Sequence, residues 1–383
     1  MSSVELRKPV ASTAASDPYR VMVVDDSAVI RGMVSRWLKD DPAVSVVGTA
    51  SNGVLALKDA EKHKPEVVVL DIEMPEMDGM TALPKLLKID PDMKIIMAST
   101  LTTRNAEISL QALANGAADY IPKPGTSRDA QQADDFQRLL IEKIKALGAA
   151  RRLKPRRGRT VADKPAASAE PAGKGIYGES NITLRRASPY SPKVLAVGSS
   201  TGGPQALFEV LGYLKSDFKL PILITQHMPP TFTKILAEHI SRITGGDCHE
   251  AVDGEKVVPG TVYIAPGDWH MLVEKQGADV VIRLNQAPPE NFCRPAVDPM
   301  FRSIAEVYGK NTLAVILTGM GHDGLQGGGV LIDAGGSLIA QDEASSVVWG
   351  MPGAVATGGL CSAVVPLTEV GPTIERMVAG GAQ

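Results

Sequence analysis

The sequence predicts an α/β protein made of two units that each contain a parallel sheet. Three observations support this fold class. Short apolar runs of strand length alternate with helix-length stretches in both halves of the chain. Several of these runs are bounded by glycine and apolar throughout, as expected of strands buried on both faces of a parallel sheet. A stretch rich in proline, alanine and basic residues separates the halves, as expected of a linker.

The composition is that of a globular protein and excludes several functional classes. Of the 383 residues, 44% are hydrophobic and 22% are charged, which is typical of a chain with buried cores. A net charge of −3 and an aromatic content of 4% provide neither the basic surface nor the stacking platforms that nucleic-acid partners need. The start lacks the apolar core of a signal peptide, and no apolar run approaches the ~18 residues of a membrane span. We therefore expect a cytoplasmic protein without a nucleic-acid partner or membrane insertion.

The first unit is predicted to span residues 19–147, after a disordered N-terminus at residues 1–18. Helical patterns such as Ala28–Leu38 and Asn105–Ala114 alternate with strand candidates. The five strand candidates are Val21–Val24, Val44–Val47, Val67–Leu70, Ile95–Met97 and Tyr120–Ile121. A βα repeat of this kind predicts a five-stranded, doubly wound parallel sheet.

Acidic residues follow two of these strands. Asp25 and Asp26 come after the first strand and Asp71 follows the third, so all three carboxylates fall at the same edge of the sheet. Like charges this close are unfavourable unless a cation neutralises them. Mg²⁺ bound through carboxylates and waters would do so and would leave room for a phosphate oxygen. Ser99, after the fourth strand, is placed to donate to that phosphate, and Lys123, after the fifth, is placed to pair with it.

With these residues, the first unit resembles the response-regulator receiver family over its full length. The likeness is carried by Val24–Ser27, Leu70–Gly79, Ser99, Tyr120 and Lys123–Pro124. The resemblance implies a flavodoxin-like fold, with Asp71 as the phosphoacceptor and a sensor histidine kinase as the phosphodonor. It also implies a Mg²⁺ site formed by Asp25, Asp26, Asp71 and the main-chain carbonyl of Glu73, and the switch residues Ser99, Tyr120 and Lys123.

Residues 148–192 are predicted to be a flexible, basic linker, and residues 193–380 a second unit. In the second unit, three apolar strand candidates each lead to a residue that catalysis can use. Val194–Gly198 leads to Ser199 and Ser200, Ile222–Gln226 leads to His227, and Leu313–Gly319 leads to Asp323. Because ligands bind at the carboxyl ends of strands in such sheets, these side chains could meet in one crevice. That arrangement suits acyl transfer through a serine nucleophile.

The loop Gly198–Pro204 has other interpretations. It lacks the second glycine of a dinucleotide fingerprint, because Ser200 stands in that place, and it lacks the GK[ST] of a P-loop. As a strand-to-helix turn it would present a serine beside free backbone N–H groups. By itself, the motif fits a helix-capping cluster about equally well. Spacing leaves the choice between Ser199 and Ser200 open, and His322 competes with His227 as the base.

The second unit as a whole resembles the chemotaxis protein-glutamate methylesterase family. The similar blocks are Val197–Pro204, Thr225–Pro230, Tyr263–Asp268, Arg294–Asp298, Thr318–Gly324 and Gln341–Ser346. This resemblance implies a doubly wound α/β domain that needs no cofactor for its esterase reaction. The implied site consists of Ser200 as nucleophile, His227 as general base, Asp323 as its orienting carboxylate and the backbone N–H of Met320 as an oxyanion donor.

The same resemblance implies a substrate and a form of regulation. It predicts hydrolysis of glutamyl methyl esters on methyl-accepting chemoreceptors, and deamidation of receptor glutamines. We further expect the unphosphorylated first unit to cover the active-site face and phosphorylation to release it. The alternative is a response regulator with a non-catalytic binding or transcriptional output domain. Against this alternative, the second unit shows no helix-turn-helix pattern and no concentrated basic helix.

Overall fold

The computed structural model describes residues 17–100, 102–123, 130–153, 182–214 and 218–380. Within these ranges the chain forms two α/β units, called here the N-terminal unit (17–153) and the C-terminal unit (182–380). The predicted disordered N-terminus and most of the predicted linker lie outside the described residues. Among the described helices, none combines the length and the apolar character that a bilayer span needs.

The N-terminal unit is a five-stranded parallel sheet flanked by helices, which confirms the predicted fold class. Its elements are β1 (Tyr19–Val24), α1 (Ala28–Lys39), β2 (Val44–Ala50), α2 (Gly53–His63), β3 (Val67–Asp71), α3 (Gly79–Ile89), β4 (Lys94–Ser99), α4 (Thr103–Ala114), β5 (Asp119–Pro122) and α5 (Ala130–Leu153). The strands lie in the order β2-β1-β3-β4-β5, and every neighbouring pair is parallel. All five predicted strands are present at the expected positions.

Local sequence explains why these elements form. The strands are rich in valine and isoleucine, and their side chains are buried because α1 and α5 cover one face of the sheet and α2 to α4 the other. Four helices begin at a polar side chain that accepts a hydrogen bond from a backbone N–H of the first turn. These caps are Ser27, Asn52, Asp78 and Thr102.

The C-terminal unit is a seven-stranded parallel sheet with an antiparallel hairpin attached. Its elements are β6 (Val194–Ser199), α6 (Gly203–Leu214), β7 (Ile222–Gln226), α7 (Phe232–Thr244), β8 (Asp247–Glu250), β9 (Thr261–Ile264), β10 (His270–Gln276), β11 (Asp279–Asn285), α8 (Val297–Tyr308), β12 (Thr312–Ile316), α9 (Leu325–Asp333), β13 (Ser337–Gln341), α10 (Met351–Thr357), β14 (Ala363–Val365) and α11 (Leu367–Val378). The sheet order is β14-β13-β12-β6-β7-β9-β8, and β10 pairs with β11.

The strand order places three strand ends side by side. β6 lies between β12 and β7 and is parallel to both. From β6 the chain continues to β7 on one side of the sheet and later returns to β12 on the other, so the topology reverses at β6. Ligand crevices form at such a reversal, outside the carboxyl ends of the strands. Ser200, His227 and Asp323 follow these three strands and therefore lie at one edge.

Both ends of the predicted linker belong to the folded units. Helix α5 continues to Leu153, past the boundary predicted at residue 147. The charged end of this helix is held by ion pairs, with Arg151 Nη2 2.5 Å from Asp90 Oδ2 and Arg152 Nη2 2.6 Å from Glu66 Oε2. At the other end, residues 182–192 run along the C-terminal unit, where the Ser188 N–H donates to Ser337 Oγ over 2.8 Å. Apolar periodicity cannot reveal contacts of this polar kind.

The two units are in contact through β5 and α4 on one side and α6 and α7 on the other. The ring of Tyr120 stacks on that of Phe232, with centroids 4.5 Å apart. Asp119, beside Tyr120, accepts a 2.7 Å hydrogen bond from the hydroxyl of Thr201 and also pairs with Lys143 of α5. Both rings belong to one buried apolar cluster that extends through the two units. The N-terminal unit therefore lies against the turn that follows β6.

Candidate functional site

Three acidic side chains of the N-terminal unit meet at the carboxyl edge of its sheet. One carboxylate oxygen from each of Asp25, Asp26 and Asp71 lies within 4.8 Å of the others. Lys123, directly after β5, reaches into this group, with Nζ 2.6 Å from Asp25 Oδ2 and 2.7 Å from Asp71 Oδ1. Glu73 follows two residues after Asp71 at the same edge. The structure thus brings together the three aspartates and the lysine, four of the five side chains that the sequence placed at this edge.

Burial and crowding determine the charge state of this acidic pocket. Burial raises the pKa of Asp71 to about 6, against the effect of Lys123, and the neighbouring Asp25 carboxylate adds to the rise. Burial alone would lower the pKa of Lys123, but its pairs with Asp25 and Asp71 raise it above the ordinary value. The lysine is therefore charged and neutralises part of the carboxylate charge. A cluster of carboxylate oxygens is the donor set that Mg²⁺ prefers, so the residues present fit that ion.

The two predicted switch residues have different surroundings. Ser99 ends β4, is buried, and has its Oγ 3.1 Å from Ser109 Oγ of α4. Tyr120 in β5 is buried against the C-terminal unit, where it stacks on Phe232. Burial raises the pKa of Tyr120 well above its ordinary value, so the phenol is neutral. Because β4 and β5 are paired, the acidic pocket is directly connected to the contact between the units.

The turn after β6 distinguishes the two candidate serines. Ser199 is fully buried, and its Oγ donates a 2.6 Å hydrogen bond to Gln226 Oε1. Ser200 is half-buried, and its Oγ has no hydrogen-bond partner within the described part of the chain. The backbone of Ser200 is fixed, since its N–H donates to Thr318 O over 3.0 Å and its carbonyl accepts from Gln226 Nε2 over 2.9 Å. A fixed backbone with a free hydroxyl favours Ser200 as the nucleophile.

His227 and Asp323 form a hydrogen-bonded pair across the same edge. His227 Nε2 donates to Asp323 Oδ2 over 2.7 Å. The buried Asp323 carboxylate also accepts from the backbone N–H groups of Val297, at 2.6 Å, and Asp298, at 3.0 Å, where α8 begins. Burial alone would raise the pKa of Asp323, but the imidazole and these N–H groups lower it to about 2. The ionised carboxylate therefore keeps the proton on Nε2 and leaves Nδ1 as the nitrogen that can act as a base.

The Nδ1 atom of His227 faces a thiol and not a hydroxyl. It lies 3.3 Å from Cys293 Sγ. Over the described residues no hydrogen bond joins Ser200 to His227, so the predicted serine–histidine contact is not formed in this structure. Burial alone would lower the pKa of His227, but Cys293 and Asp323 raise it to about 10. In this arrangement the ring carries a proton on both nitrogens and is not yet a base.

The predicted oxyanion donor comes directly after Gly319, which packs closely against Ser200. A Cβ on Gly319 would be 2.9 Å from Ser200 Cβ and 2.4 Å from Met351 Sδ, so only glycine allows this close approach. The next residue, Met320, has a backbone N–H with no acceptor in the ranges that the structure describes. An unengaged N–H one residue from this contact is suited to meet a developing oxyanion.

Two residues that the sequence interpretation assigned no role support Asp323. Asn291 Nδ2 donates to Asp323 Oδ1 over 2.9 Å and to Asp298 Oδ2 over 3.0 Å. Asp298 Oδ1 in turn accepts from the backbone N–H of Gly324 at 3.0 Å. Burial and the Asp323 charge raise the pKa of Asp298 to about 6. Asp298 could be recognised from the sequence, because it is the acidic residue in the first turn of the strongly amphipathic helix α8. Spacing offers no comparable indication for Asn291 or Cys293.

His322, which the sequence left as a competitor of His227, and His270 of β10 do not join this pair. His322 is exposed, although the adjacent Asp323 is buried. His270 is buried between backbone groups, with Nδ1 3.2 Å from the N–H of Ala296 and Nε2 3.2 Å from the carbonyl of Pro288. Both ring nitrogens of His270 are therefore occupied by structural contacts. Of these three histidines, only His227 is paired with a carboxylate at the strand ends.

Both units match known protein families. The family model described as "Response regulator receiver domain" matches residues 21–133, and the one described as "CheB methylesterase" matches residues 195–374. Over 371 residues the chain is 57% identical to "Protein-glutamate methylesterase/protein-glutamine glutaminase 1" of Paramagnetospirillum magneticum, a match that covers 95% of this chain and 97% of that protein. The chain belongs to the CheB methylesterase family.

A further curated relative agrees with this assignment. "Protein-glutamate methylesterase/protein-glutamine glutaminase" of Azospirillum brasilense is 56% identical over 377 residues, covering 96% of this chain and 95% of that protein. The solved Thermotoga maritima CheB methylesterase catalytic domain is 42% identical, covers 49% of this chain and 100% of that domain, and has a TM-score of 0.48. The family resemblance stated for each unit is confirmed. Membership also favours a catalytic C-terminal unit over a non-catalytic output domain.

The close approach at Gly319 makes a testable prediction about stability. Gly319→Ala should lower the thermal unfolding midpoint, because its methyl group would overlap Met351 and Ser200 and overpacking costs about 1–3 kcal/mol. The matched control is Gly329→Ala in α9, where a Cβ meets nothing within 4 Å. A helical alanine there should stabilise the chain by up to about 1 kcal/mol. Equal midpoints for the two variants would contradict the packing described at Ser200.

The raised pKa of Asp71 predicts a pH-dependent effect on stability. Since the pKa of Asp71 in the folded chain is about 6 and the ordinary value is 3.8, the stability linked to this group is present below 3.8 and lost as the pH rises through about 6. Without divalent cations, Asp71→Asn should therefore raise the unfolding midpoint at neutral pH, by a free energy on the order of 2 kcal/mol. The gain should shrink on acidification toward the ordinary value.

Asp26→Asn serves as the control for this measurement, because Asp26 belongs to the same cluster but is exposed. This variant should show no comparable pH-dependent gain in the unfolding midpoint. A stabilisation by Asp71→Asn that is the same in acid and at neutral pH would argue against a perturbed carboxyl at residue 71.

Proposed function

We propose that this chain hydrolyses glutamyl methyl esters on chemoreceptors and deamidates receptor glutamines, under the control of phosphorylation at Asp71. The observation that supports the catalytic part is the free hydroxyl of Ser200. This serine follows β6, and the neighbouring strands β7 and β12 lead to the paired residues His227 and Asp323. Relatives that match nearly the whole chain are named for both activities. The accompanying domain division is a receiver ending near residue 153, a connector, and a catalytic unit from about residue 182.

Ester hydrolysis needs His227 in its neutral form. Nδ1 accepts the proton of Ser200 while Oγ bonds to the ester carbonyl carbon, and Asp323 stabilises the imidazolium through Nε2. The carbonyl oxygen becomes an oxyanion and is met by the backbone N–H of Met320. The imidazolium then gives its proton to the leaving oxygen, and methanol departs. Water, deprotonated by His227, cleaves the acyl-enzyme and restores Ser200 with a free glutamate carboxylate.

The same groups serve for a glutamine side chain. Ser200 attacks the amide carbon and His227 protonates the departing nitrogen, so ammonia leaves in place of methanol. Both substrates therefore pass through one glutamyl acyl-enzyme, and both end as glutamate. No cofactor is needed for either route, because proton transfer and oxyanion stabilisation come from side chains and backbone.

The N-terminal unit would act as the regulatory switch. Asp71 would accept the phosphoryl group from a sensor histidine kinase, with its carboxylate oxygen as the attacking atom. Residues that would hold Mg²⁺ are Asp25, Asp26, Asp71 and Glu73, the last through its main-chain carbonyl. When bound, Mg²⁺ neutralises charge on the phosphoryl group. Lys123 and Ser99 lie at the same edge and would pair with its oxygens.

Contacts between the units support autoinhibition. The hydrogen bond from Thr201 to Asp119 joins the residue after Ser200 to β5. The stacking of Tyr120 on Phe232 covers the start of α7, just beyond the loop that carries His227. An acyl phosphate on Asp71 would draw Lys123 and Ser99 toward it and so shift the end of β5. That shift would loosen both contacts and open the face around Ser200.

Replacement of the two serines tests the catalytic assignment. Ser200→Ala should reduce methanol release from methylated receptor membranes by on the order of 10⁴–10⁶-fold, as in other serine triads. Ser199→Ala is the matched control, because the Ser199 hydroxyl is buried on Gln226 and its loss should lower the rate far less. A larger loss of rate with Ser199→Ala would identify Ser199, and not Ser200, as the nucleophile.

Removal of the N-terminal unit tests the regulatory assignment. A chain that starts at residue 182 keeps the contact of Ser188 with Ser337 but loses those of Asp119 and Tyr120. It should release methanol faster than the unphosphorylated full chain. The full chain treated with a small phosphodonor and Mg²⁺ should approach the same rate, while its Asp71→Asn variant should not. Equal rates for the truncated and the unphosphorylated full chain would exclude autoinhibition.

A further inference from the structure

Cys293 occupies a position to which the proposed reaction assigns no role. It lies half-buried in the loop between β11 and α8, with Sγ 3.3 Å from Nδ1 of His227. The Nε2 atom of the same ring donates to Asp323. Both nitrogens of the imidazole therefore have partners, and neither partner is Ser200.

We propose that Cys293 is a positioning residue that holds His227 in a resting state, with its thiol on the nitrogen that must take the proton of Ser200. This inference rests on the proposed serine mechanism, because it concerns the base of that reaction. In the resting state the thiol lies at hydrogen-bond distance from Nδ1. When the ester substrate binds, the pair separates and Nδ1 becomes free to face Ser200. No covalent step is involved.

The loop that carries Cys293 contacts both the proposed base, His227, and its carboxylate partner, Asp323. The backbone groups of Glu290 and Cys293 bond to each other, with N···O distances of 3.1 and 2.8 Å. Between them, Asn291 donates to Asp323 Oδ1 over 2.9 Å. The thiol on His227 and the amide on Asp323 thus belong to one short turn. Movement of this turn changes the surroundings of both ring nitrogens together.

The N-terminal unit touches the same turn. Phe292, next to Cys293, is 79% exposed, and the guanidinium of Arg138 lies 4.5 Å from the centre of its ring. Arg138 belongs to α5, so the receiver has a direct contact with the loop that holds the thiol. A cation over an aromatic face is attractive. Displacement of the N-terminal unit would remove this contact and allow the turn to move away from His227.

Other charged groups lie around the imidazole ring of His227. Asp323 bonds to Nε2, and Asp298 of α8 lies behind it, joined through Asn291. On the same helix, Arg302 pairs with Glu290 over 2.5 Å and is thereby neutralised. Within the described ranges, Cys293 is the group at hydrogen-bond distance from Nδ1. It is therefore the group whose removal changes the base nitrogen directly.

The thiol shifts the pH range over which His227 becomes a base. Burial alone would lower the pKa of His227, but Cys293 and Asp323 raise it to about 10. A protonated ring cannot take the proton of Ser200, so the rate should rise with pH as the ring deprotonates. Without the thiol, one of the two raising contributions is lost, and the ring gives up its proton at lower pH.

The test measures pH profiles of the full-length chain. Methanol release from methylated receptor membranes is followed from roughly pH 5.5 to 11, with the uncatalysed ester hydrolysis subtracted, for the wild-type chain, Cys293→Ala and Cys293→Ser. Both variants should reach half of their plateau rate at a pH about one unit lower or more, which is about a tenfold larger fraction of the plateau on the acidic side. Cys248→Ala, which removes a buried thiol on β8, should keep the wild-type profile. Coincident profiles for Cys293→Ala and the wild-type chain would overturn the proposal.

A second measurement does not depend on catalysis. Alkylation of each cysteine by iodoacetamide is followed at neutral pH by mass spectrometry. Cys293 should react first, because it is half-buried beside the imidazole of His227, whereas Cys248 and Cys361 are buried and burial raises the pKa of both thiols to about 12. His227→Gln should slow alkylation of Cys293 several-fold. An unchanged rate would refute the proposed contact between the thiol of Cys293 and the imidazole of His227.

The two proposals fail in different ways. If Ser200→Ala kept its activity, the proposed serine mechanism would fall, and Cys293 would lose its role as a positioning residue whatever its reactivity. Ser200→Ala could instead be inactive while the pH profile is unchanged by Cys293→Ala and the alkylation rate is unchanged by His227→Gln. In that case only the inference about Cys293 would fall.

Discussion

The hydrogen bond between His227 and Asp323 is the contact on which the C-terminal site depends, since it joins two loops 96 residues apart. A buried carboxylate is costly unless it is well hydrogen-bonded. Here the N–H groups of Val297 and Asp298, at the start of α8, supply those bonds where the helix also favours negative charge. The imidazole can therefore be held only when α8, the loop after β12 and the Asn291 turn are all in place.

The two units use buried carboxylates in opposite ways. In the N-terminal unit, burial raises the pKa of Asp71 and the Asp25 carboxylate adds to the rise, although Lys123, which also pairs with Asp25, opposes it. Such a carboxylate is stabilised when a cation binds to it, and it loses its charge when it accepts a phosphoryl group. In the C-terminal unit, donors on both oxygens lower the pKa of Asp323, and its charge is permanent. The first site is thus suited to change its state, and the second is suited to keep another residue fixed.

Strand β5 connects these two sites. Lys123, directly after the strand, pairs with the acidic pocket, while Asp119 and Tyr120 within it contact the C-terminal unit. The partner of Asp119, Thr201, is the neighbour of Ser200. The strand is only four residues long, so its contact with the C-terminal unit and its contact with the acidic pocket lie close together. The proposed phosphoacceptor, Asp71, and the proposed nucleophile, Ser200, are in this way separated by few contacts.

The sequence by itself determined the α/β class, the strand positions of the N-terminal unit, three strands of the C-terminal unit, and the placement of Asp71, Ser200, His227 and Asp323 at strand ends, because apolar runs and helix caps are local properties. Only the tertiary structure decided that β12, β6 and β7 are neighbours, since strand order depends on packing between distant segments. It also separated a buried Ser199 from a free Ser200. The thiol of Cys293 reaches His227 through an irregular turn, whose course depends on contacts with Asp323 and α8 and leaves no periodic signal in the sequence.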